Sequence, residues 1–226
     1  MKTGPDPATE AAMLRALAAS GVPTSRVLGV SDEILVIEPL PTGGQLSGAW
    51  ASLGAILATL HQSRGECYGW PQDYAFGPVS IRNAWSEDWP GFWAERRLLI
   101  HAGHVPPDLT RRIETMATRL VDRLPARPPP VLLHGDLWSG NILSREDQIT
   151  GLIDPACYYG HNEVDLAMLK LFDQPSRAFE AAYGPLDAGD EDRLPIYQLW
   201  PALVHLRLFG SSYRGLVERL LAAAGV

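Results

Sequence analysis

The hydrophobic positions along this chain predict mostly helices, because apolar residues recur every three or four positions over long stretches. The first of these stretches also carries a start signal. Asp6 is a favourable N-cap residue, and Pro7 suits the first helical position. The spacing predicts helices over residues 7–19, 48–62, 84–102, 107–124, 162–172, 176–183, 191–209 and 213–224.

Short apolar runs bounded by Gly, Pro and polar residues predict a smaller number of strands. They lie at residues 27–30, 34–37, 131–133 and 149–153. Residues 63–83 are rich in Gly, Pro and aromatic side chains and are expected to be irregular. Strands near the start and helices elsewhere favour the α+β class. We expect a partial N-terminal lobe over residues 1–40 and a large helical C-terminal lobe over residues 41–226, joined by a Pro- and Gly-rich hinge.

Composition narrows the classes of function. The chain has 226 residues, 46% of them hydrophobic and 20% charged, as in ordinary globular proteins. A net charge of −7 without a basic stripe argues against a nucleic-acid partner. No apolar run reaches the ~18 residues of a membrane span. Cys67 and Cys157 lack metal-ligand spacing, so we expect reduced thiols, or less readily a disulfide, in a cytoplasmic monomer or weak dimer.

Candidate chemistry is concentrated after the strand at 131–133. There the chain continues as His-Gly-Asp136, reaches Asn141, and after a second apolar run ends on Asp154. A carboxylate that orients a hydroxyl, followed by a carboxamide and a second carboxylate that hold Mg²⁺, suits nucleotide-dependent phosphoryl transfer. Each of these residues alone is explained equally well by a turn. Their order, each after an apolar run, favours a phosphotransferase.

Longer motifs in the same stretch carry a family resemblance. The segments HGDLWSGNIL and IDPACYYGHNEVDLAM resemble the fructosamine kinase (ketosamine kinase) family. This family is a branch of the kinase-like fold that also includes aminoglycoside phosphotransferases and choline kinases. The resemblance extends from about residue 2 to about residue 213. It implies a protein-kinase-like two-lobe fold and ATP-dependent phosphorylation of a sugar hydroxyl of ketosamines, on small glycated amines or glycated proteins. An aminoglycoside- or choline-type acceptor is the alternative.

The resemblance implies a function for each residue of the central stretch. Asp136 accepts the proton of the sugar hydroxyl, and Asn141 and Asp154 hold the Mg²⁺ that bridges the nucleotide phosphates. Trp138 forms an apolar wall against the acceptor, or else packs in the core. Asp165 either braces the catalytic loop or is an acid at a helix N-terminus.

Residues nearer the start are assigned to ATP. By resemblance, Lys2 contacts the phosphates and Glu10 pairs with it; alternatively, Lys2 is a solvated lysine and Glu10 a first-turn acid. The segment containing Glu38 and Leu40 is expected to bind the adenine edge through its backbone. His61 is expected to cap a helix or lie in the core rather than act as a ligand.

The printed sequence holds no residues before Lys2 for the two strands and the glycine-containing phosphate loop of a kinase-like fold. We therefore expect weak ATP binding and slow turnover from this form. A catalytically impaired nucleotide-binding or regulatory module remains the third hypothesis.

Overall fold

The computed structural model describes residues 2–3 and 6–226, with side chains from residue 6 onward. Helices account for most of the regular structure. They are α1 (Pro7–Ala19), α2 (Trp50–Leu60), α3 (Trp89–Trp93), α4 (Pro107–Arg123), α5 (Glu163–Phe172), α6 (Arg177–Tyr183), α7 (Asp190–Phe209) and α8 (Arg214–Ala223).

The strands are short and form small antiparallel sheets. They are β1 (Lys2–Thr3), β2 (Val27–Val30), β3 (Ile34–Ile37), β4 (Tyr74–Phe76), β5 (Val79–Ile81), β6 (Val131–Leu133), β7 (Ile142–Arg145), β8 (Gln148–Leu152) and β9 (Tyr158–Gly160). One sheet has the order β1-β3-β2, and the others are the pairs β4-β5, β6-β9 and β7-β8. Helices and strands together confirm the predicted α+β class.

Internal contacts divide the chain into two units. The first unit comprises Met1–Gly65 and Val131–Leu186, and the second comprises Glu66–Pro130 and Asp187–Val226. The first unit thus joins the N-terminal elements to the stretch that carries the candidate chemistry. This division follows contacts and differs from the lobe boundary placed after residue 40, which stays a prediction.

Helix α1 shows how local sequence sets an element of the first unit. The Asp6 carboxylate accepts hydrogen bonds from the amide of Thr9 at 2.9 Å and from its hydroxyl at 2.6 Å, which caps the helix where predicted. The buried face of α1 places Ala11 and Leu14 against Leu35 of β3. This packing holds the helix on its three-stranded sheet.

The second unit is built on an aromatic cluster, which we define as Trp89, Phe92, Trp93, Tyr197 and Trp200. Each of these side chains is at most 2% exposed. The Trp93 ring centroid lies 5.0 Å from that of Tyr197, edge to face, and the Trp89 Nε1–H donates to the Tyr197 hydroxyl at 2.9 Å. The cluster is therefore part of the core, whereas the nearby Trp85 is 48% exposed.

Two predicted elements of the second unit differ from the structure. The helix expected over residues 84–102 begins only at Trp89, where the Asp88 carboxylate accepts from the Gly91 amide at 3.2 Å. It widens to π-helical geometry over Ala94–Leu98 and tightens to 3₁₀ geometry over Leu99–His104. The stretch 63–83 is not wholly irregular, because β4 and β5 form a hairpin whose turn includes Gly77 at φ +54°.

Two further observations bear on the composition arguments. Within residues 6–226, none of the helices offers an apolar stretch long enough to cross a bilayer. Cys67 and Cys157 are both free cysteines, and their reduced state stays a prediction.

Candidate functional site

The candidate site begins where β6 ends. After Leu133 the chain turns sharply through Gly135, whose φ of +79° lies in the left-handed region. A Cβ atom at this position would come within 2.0 Å of the Ala156 carbonyl oxygen. The turn therefore requires glycine, and it presents Asp136 directly after a buried strand.

Asp165, near the start of α5, fixes this turn. Its side chain is fully buried. Oδ2 accepts from the His134 amide at 2.7 Å and Oδ1 from the Gly135 amide at 2.9 Å. Burial alone would raise the pKa of Asp165, yet the pKa lies below its usual value because His61 and the loop donate hydrogen bonds to the carboxylate. Asp165 lies in the first turn of α5, and its hydrogen bonds to the two loop amides favour the bracing interpretation.

His134 connects the catalytic loop to the loop that carries Asp154. Its Nε2–H donates to the Ile153 carbonyl at 2.9 Å, and its Nδ1 accepts from the Asp136 amide at 3.3 Å. Burial lowers the pKa of His134, which keeps the ring neutral and suits this one-donor, one-acceptor arrangement. The Ala156 amide donates to the His134 carbonyl at 2.9 Å and closes the connection.

Asn141 holds Asp136 directly. The Asn141 Nδ2 donates to the Asp136 carboxylate oxygen Oδ2 at 2.9 Å and to the Asp136 carbonyl at 2.8 Å. The amide nitrogen is thereby committed, which leaves Oδ1 as the Asn141 atom with lone pairs suited to a cation. The Ile153 amide donates to the Asn141 carbonyl at 3.0 Å, so the backbone next to Asp154 is tied to this residue.

Asp154 adopts an unusual backbone conformation at the end of β8. Its φ of +52° lies in the left-handed region, which a residue other than glycine adopts at some cost. Across residues 6–226, no group of three or more His, Cys, Asp or Glu side chains is arranged to hold a metal. One carboxamide oxygen and one carboxylate fit Mg²⁺, which takes few protein oxygens and completes its shell with phosphate and water.

Residues Trp138–Gly140 lie on the same loop as Asp136. The Ser139 amide donates to the Asp173 carboxylate at 2.9 Å, so the residue that follows α5 holds this segment in place. Trp138 is 41% exposed, which argues against the alternative of core packing. Its ring lies over Gly140, where a Cβ atom would be 2.3 Å from the ring. The indole is thus partly exposed, on a residue two positions after Asp136.

The hinge borders a cavity in the first unit. The Glu38 carboxylate pairs with Arg26 at 2.7 Å, and this hydrogen bond lowers the pKa of Glu38. Leu40, between two prolines that lack an amide hydrogen, packs against Gly151 of β8. A cavity of about 460 Å³ is lined by residues 42–47, 139 and 142–144. Adenine binding by the Glu38–Leu40 backbone stays a prediction.

Of the two residues predicted to hold the nucleotide phosphates, the structure describes the side chain of Glu10 only. The Lys2 side chain lies outside the described residues, although its backbone pairs with Leu35 of β3. Glu10 is 3% exposed and lies in the first turn of α1, where the alternative interpretation also placed it. Pairing between Lys2 and Glu10 stays a prediction.

Sequence reasoning missed the surroundings of His61. The residue caps the C-terminus of α2 and is buried, as predicted. Its Nε2 lies 3.3 Å from Asp165 Oδ2, and its Nδ1 lies 2.8 Å from the Tyr183 hydroxyl. These partners are distant in sequence, so no local pattern could have identified them.

Comparisons with known proteins match the chain to one family. The family model described as fructosamine kinase matches residues 7–224. A Synechocystis protein named as a ketoamine kinase is 37% identical over 83% of this chain and 66% of its own length. The chloroplastic protein-ribulosamine 3-kinase of Arabidopsis thaliana is 34% identical over 80% of this chain and 58% of its own length. The chain thus spans about two thirds or less of these two relatives.

Solved structures support the same assignment. A protein described as a fructosamine-3-kinase from Thermobifida fusca superposes with a TM-score of 0.88 at 36% identity, covering 95% of this chain and 78% of that one. An aminoglycoside phosphotransferase, solved with AMP-PNP and hygromycin B, superposes with a TM-score of 0.69 at 17% identity over 99% of this chain and 85% of that one. The second likeness shows the fold alone, and together they confirm the predicted kinase-like fold.

Proposed function

Because the chain belongs to the fructosamine kinase family, we propose that it transfers the γ-phosphoryl group of ATP to a sugar hydroxyl of a ketosamine. The observation that carries this proposal is the arrangement around Asp136. Asn141 holds its carboxylate, and Asp165 braces the preceding turn. Relatives named as ketoamine kinases and as a ribulosamine 3-kinase align over most of the chain and support this acceptor class.

Asp136 orients the acceptor hydroxyl in this proposal and takes its proton. The hydrogen bonds from Asn141 Nδ2 to the carboxylate oxygen Oδ2 and to the carbonyl of Asp136 hold the carboxylate in one orientation. Fixing the carboxylate before the acceptor arrives matters because positioning supplies most of the catalysis in phosphoryl transfer.

Asn141 Oδ1 and the Asp154 carboxylate would hold Mg²⁺. The ion would neutralise charge on the phosphate oxygens. The Ile153 amide donates to the Asn141 carbonyl and so holds the backbone next to Asp154 against Asn141. The His134 ring connects the same segment to the Asp136 amide. Glu38 and Leu40 would receive the adenine edge, and Lys2 with Glu10 would hold the phosphates. AMP-PNP and ADP in solved proteins of this fold support ATP as the donor.

The acceptor would lie against Trp138. Its half-exposed indole provides an apolar surface for the sugar and the amine substituent that carries it. An exposed wall also suits a sugar attached to a protein side chain, so we include glycated proteins among the acceptors. The free thiols of Cys67 and Cys157 support a cytoplasmic location, and we propose a monomer or weak dimer.

An aminoglycoside- or choline-type kinase would use the same machinery. The structural relatives of those types that we compared are 15–18% identical and share only the fold, whereas the ketoamine kinases are 32–37% identical. The difference favours the ketosamine acceptor. A catalytically impaired nucleotide-binding module is the remaining alternative.

The test is an acceptor comparison by ³¹P NMR with Mg·ATP. Ribulosyl-lysine and fructosyl-lysine are offered beside unmodified lysine, hygromycin B and choline. We expect a new phosphomonoester signal with the ketosamines only. Phosphorylation of hygromycin B or choline in preference to both ketosamines would contradict the acceptor class. ATP binding without transfer to any acceptor would favour the impaired module.

A further inference from the structure

Three helix ends of the first unit meet near Asp165. His61 is the C-cap of α2, Tyr183 is the last residue of α6, and Asn162 is the N-cap of α5. The His61 side chain is 5% exposed. The His61 and Tyr183 rings meet edge to face with centroids 5.7 Å apart. None of these residues takes part in the proposed chemistry directly.

Hydrogen bonds connect the three residues in one line. The Asn162 Nδ2 donates to the Tyr183 hydroxyl at 2.7 Å. The same hydroxyl lies 2.8 Å from His61 Nδ1, and His61 Nε2 lies 3.3 Å from Asp165 Oδ2. Asp165 then accepts from the amides of His134 and Gly135. The line thus runs from a helix N-terminus to the residue next to Asp136.

The chemistry of the end groups sets the direction of the two outer bonds. An amide nitrogen only donates, so the Tyr183 oxygen accepts from Asn162. An ionised carboxylate only accepts, so the His61 Nε2–H donates to Asp165. With Nε2 carrying the one ring proton, Nδ1 accepts and the Tyr183 O–H donates to it. Each of the three hydrogen bonds in this arrangement has one donor and one acceptor.

We infer that Asn162, Tyr183 and His61 form a directional relay of hydrogen bonds that positions the catalytic loop through Asp165. His61 is the central positioning residue, because its Nε2–H holds the carboxylate that in turn holds two loop amides. Losing this donor leaves a buried carboxylate short of one partner and free to change rotamer. Displacing Asp136 by a fraction of an ångström slows transfer without weakening ATP binding.

Three substitutions test the relay, and one serves as a matched control. His61→Leu removes both ring nitrogens. His61→Gln retains an N–H donor toward Asp165. Tyr183→Phe removes only the hydroxyl in the middle of the line. Tyr213→Phe makes the same change on a tyrosine of the second unit that contacts His205 and Phe209 through its ring.

The kinetic readout rests on the proposed function. We expect His61→Leu to lower kcat by about 10- to 100-fold with KM for ATP and acceptor unchanged within about twofold. Tyr183→Phe should lower kcat by about three- to tenfold, while His61→Gln should restore most of the loss. Tyr213→Phe should match the parent. A purely structural contribution would instead lower the melting temperature with kcat of the folded protein unchanged, and that result would overturn the relay.

A second readout is independent of activity. Amide hydrogen exchange at His134 and Gly135 reports whether Asp165 still holds the loop. We expect about tenfold faster exchange in His61→Leu and Tyr183→Phe and no change in Tyr213→Phe. Nitrogen-15 NMR should show His61 protonated at Nε2 and unprotonated at Nδ1. Unchanged exchange, or a proton at Nδ1, would overturn the relay even if no acceptor were phosphorylated.

Discussion

Two regions of this molecule are held together by different means. The catalytic segment, residues 131–156, relies on hydrogen bonds among backbone amides, buried polar side chains and a left-handed glycine. The aromatic cluster of the second unit relies on large rings in edge and tilted contact, with one hydrogen bond between Trp89 and Tyr197. The hydrogen bonds of the first region fix the orientation of its side chains and amides, whereas the ring contacts of the second region bury apolar surface area.

The difference matters because the two kinds of interaction have different magnitudes. A typical hydrogen bond contributes about 1 kcal/mol net, whereas truncating a buried tryptophan costs about 3–5 kcal/mol. Changes in the catalytic segment should therefore impair turnover before they unfold the protein. Changes in the aromatic cluster should destabilise the protein before they impair the turnover of the folded molecules.

Among substitutions that leave Asp136 in place, the largest effect on turnover is expected from Gly135→Ala. The added Cβ would meet the Ala156 carbonyl, and alanine is strained at φ +79°. The loop must move, so we expect kcat to fall by about 100-fold or more in an ATP-turnover assay with a ketosamine. The free energy of unfolding should fall by about 2–4 kcal/mol in urea.

Gly103→Ala is the matched control, because a Cβ atom there meets nothing within 4 Å. It should leave both quantities unchanged. Wild-type turnover in Gly135→Ala would show that the turn at Asp136 tolerates displacement, and the argument from loop geometry would then be wrong.

Trp93→Ala tests the other side of the comparison. Its side chain is fully buried against Trp89 and Tyr197, so chemical denaturation should show a loss of about 3–5 kcal/mol. The half-exposed Trp85→Ala is the control and should lose no more than about 1 kcal/mol. Turnover per folded molecule should stay near the parent value in both. A Trp93 variant with normal stability but lost turnover would reverse the comparison.

Asp154→Asn should weaken only the metal-dependent binding of ATP. Asparagine tolerates the left-handed backbone of this position but brings no charge to a cation. Calorimetry should show at least about tenfold weaker binding of Mg·ATP, with metal-free ATP binding unchanged. Equal affinity of both proteins for Mg·ATP would remove Asp154 from the metal site.

Local signals in the sequence predicted much of the fold. The bounds of α1, β2 and β3 match the expected ranges, and α4 differs by one residue, because caps, prolines and apolar spacing all act within a few residues. The β4–β5 hairpin was missed because three-residue strands leave too short a pattern. The late start of α3 was missed although Asp88 and Pro90 repeat the cap signal of α1.

The order of the candidate site residues along the chain could be predicted from the sequence. The residues that hold them in place could not. Asp136 comes soon after β6, Asn141 directly precedes β7, and Asp154 comes soon after β8; the order of these residues along the chain pointed to phosphoryl transfer. The loop before Asp136 is held by Asp165 from α5, and Asp165 is in turn contacted by His61 from the end of α2. Sequence left Asp165 undecided between two interpretations, since only the fold shows which amides its carboxylate meets.

The central claim is that Asp136 serves phosphoryl transfer to a ketosamine, and Asp136→Asn tests it most directly. Asparagine keeps the shape but cannot take the hydroxyl proton. Asp147→Asn makes the same change at an exposed position in the β7–β8 turn of the same stretch. With Mg·ATP and ribulosyl-lysine, Asp136→Asn should lower kcat by about 10²- to 10⁴-fold at unchanged melting temperature, and Asp147→Asn should match the parent. Turnover at the parent rate in Asp136→Asn would contradict the account.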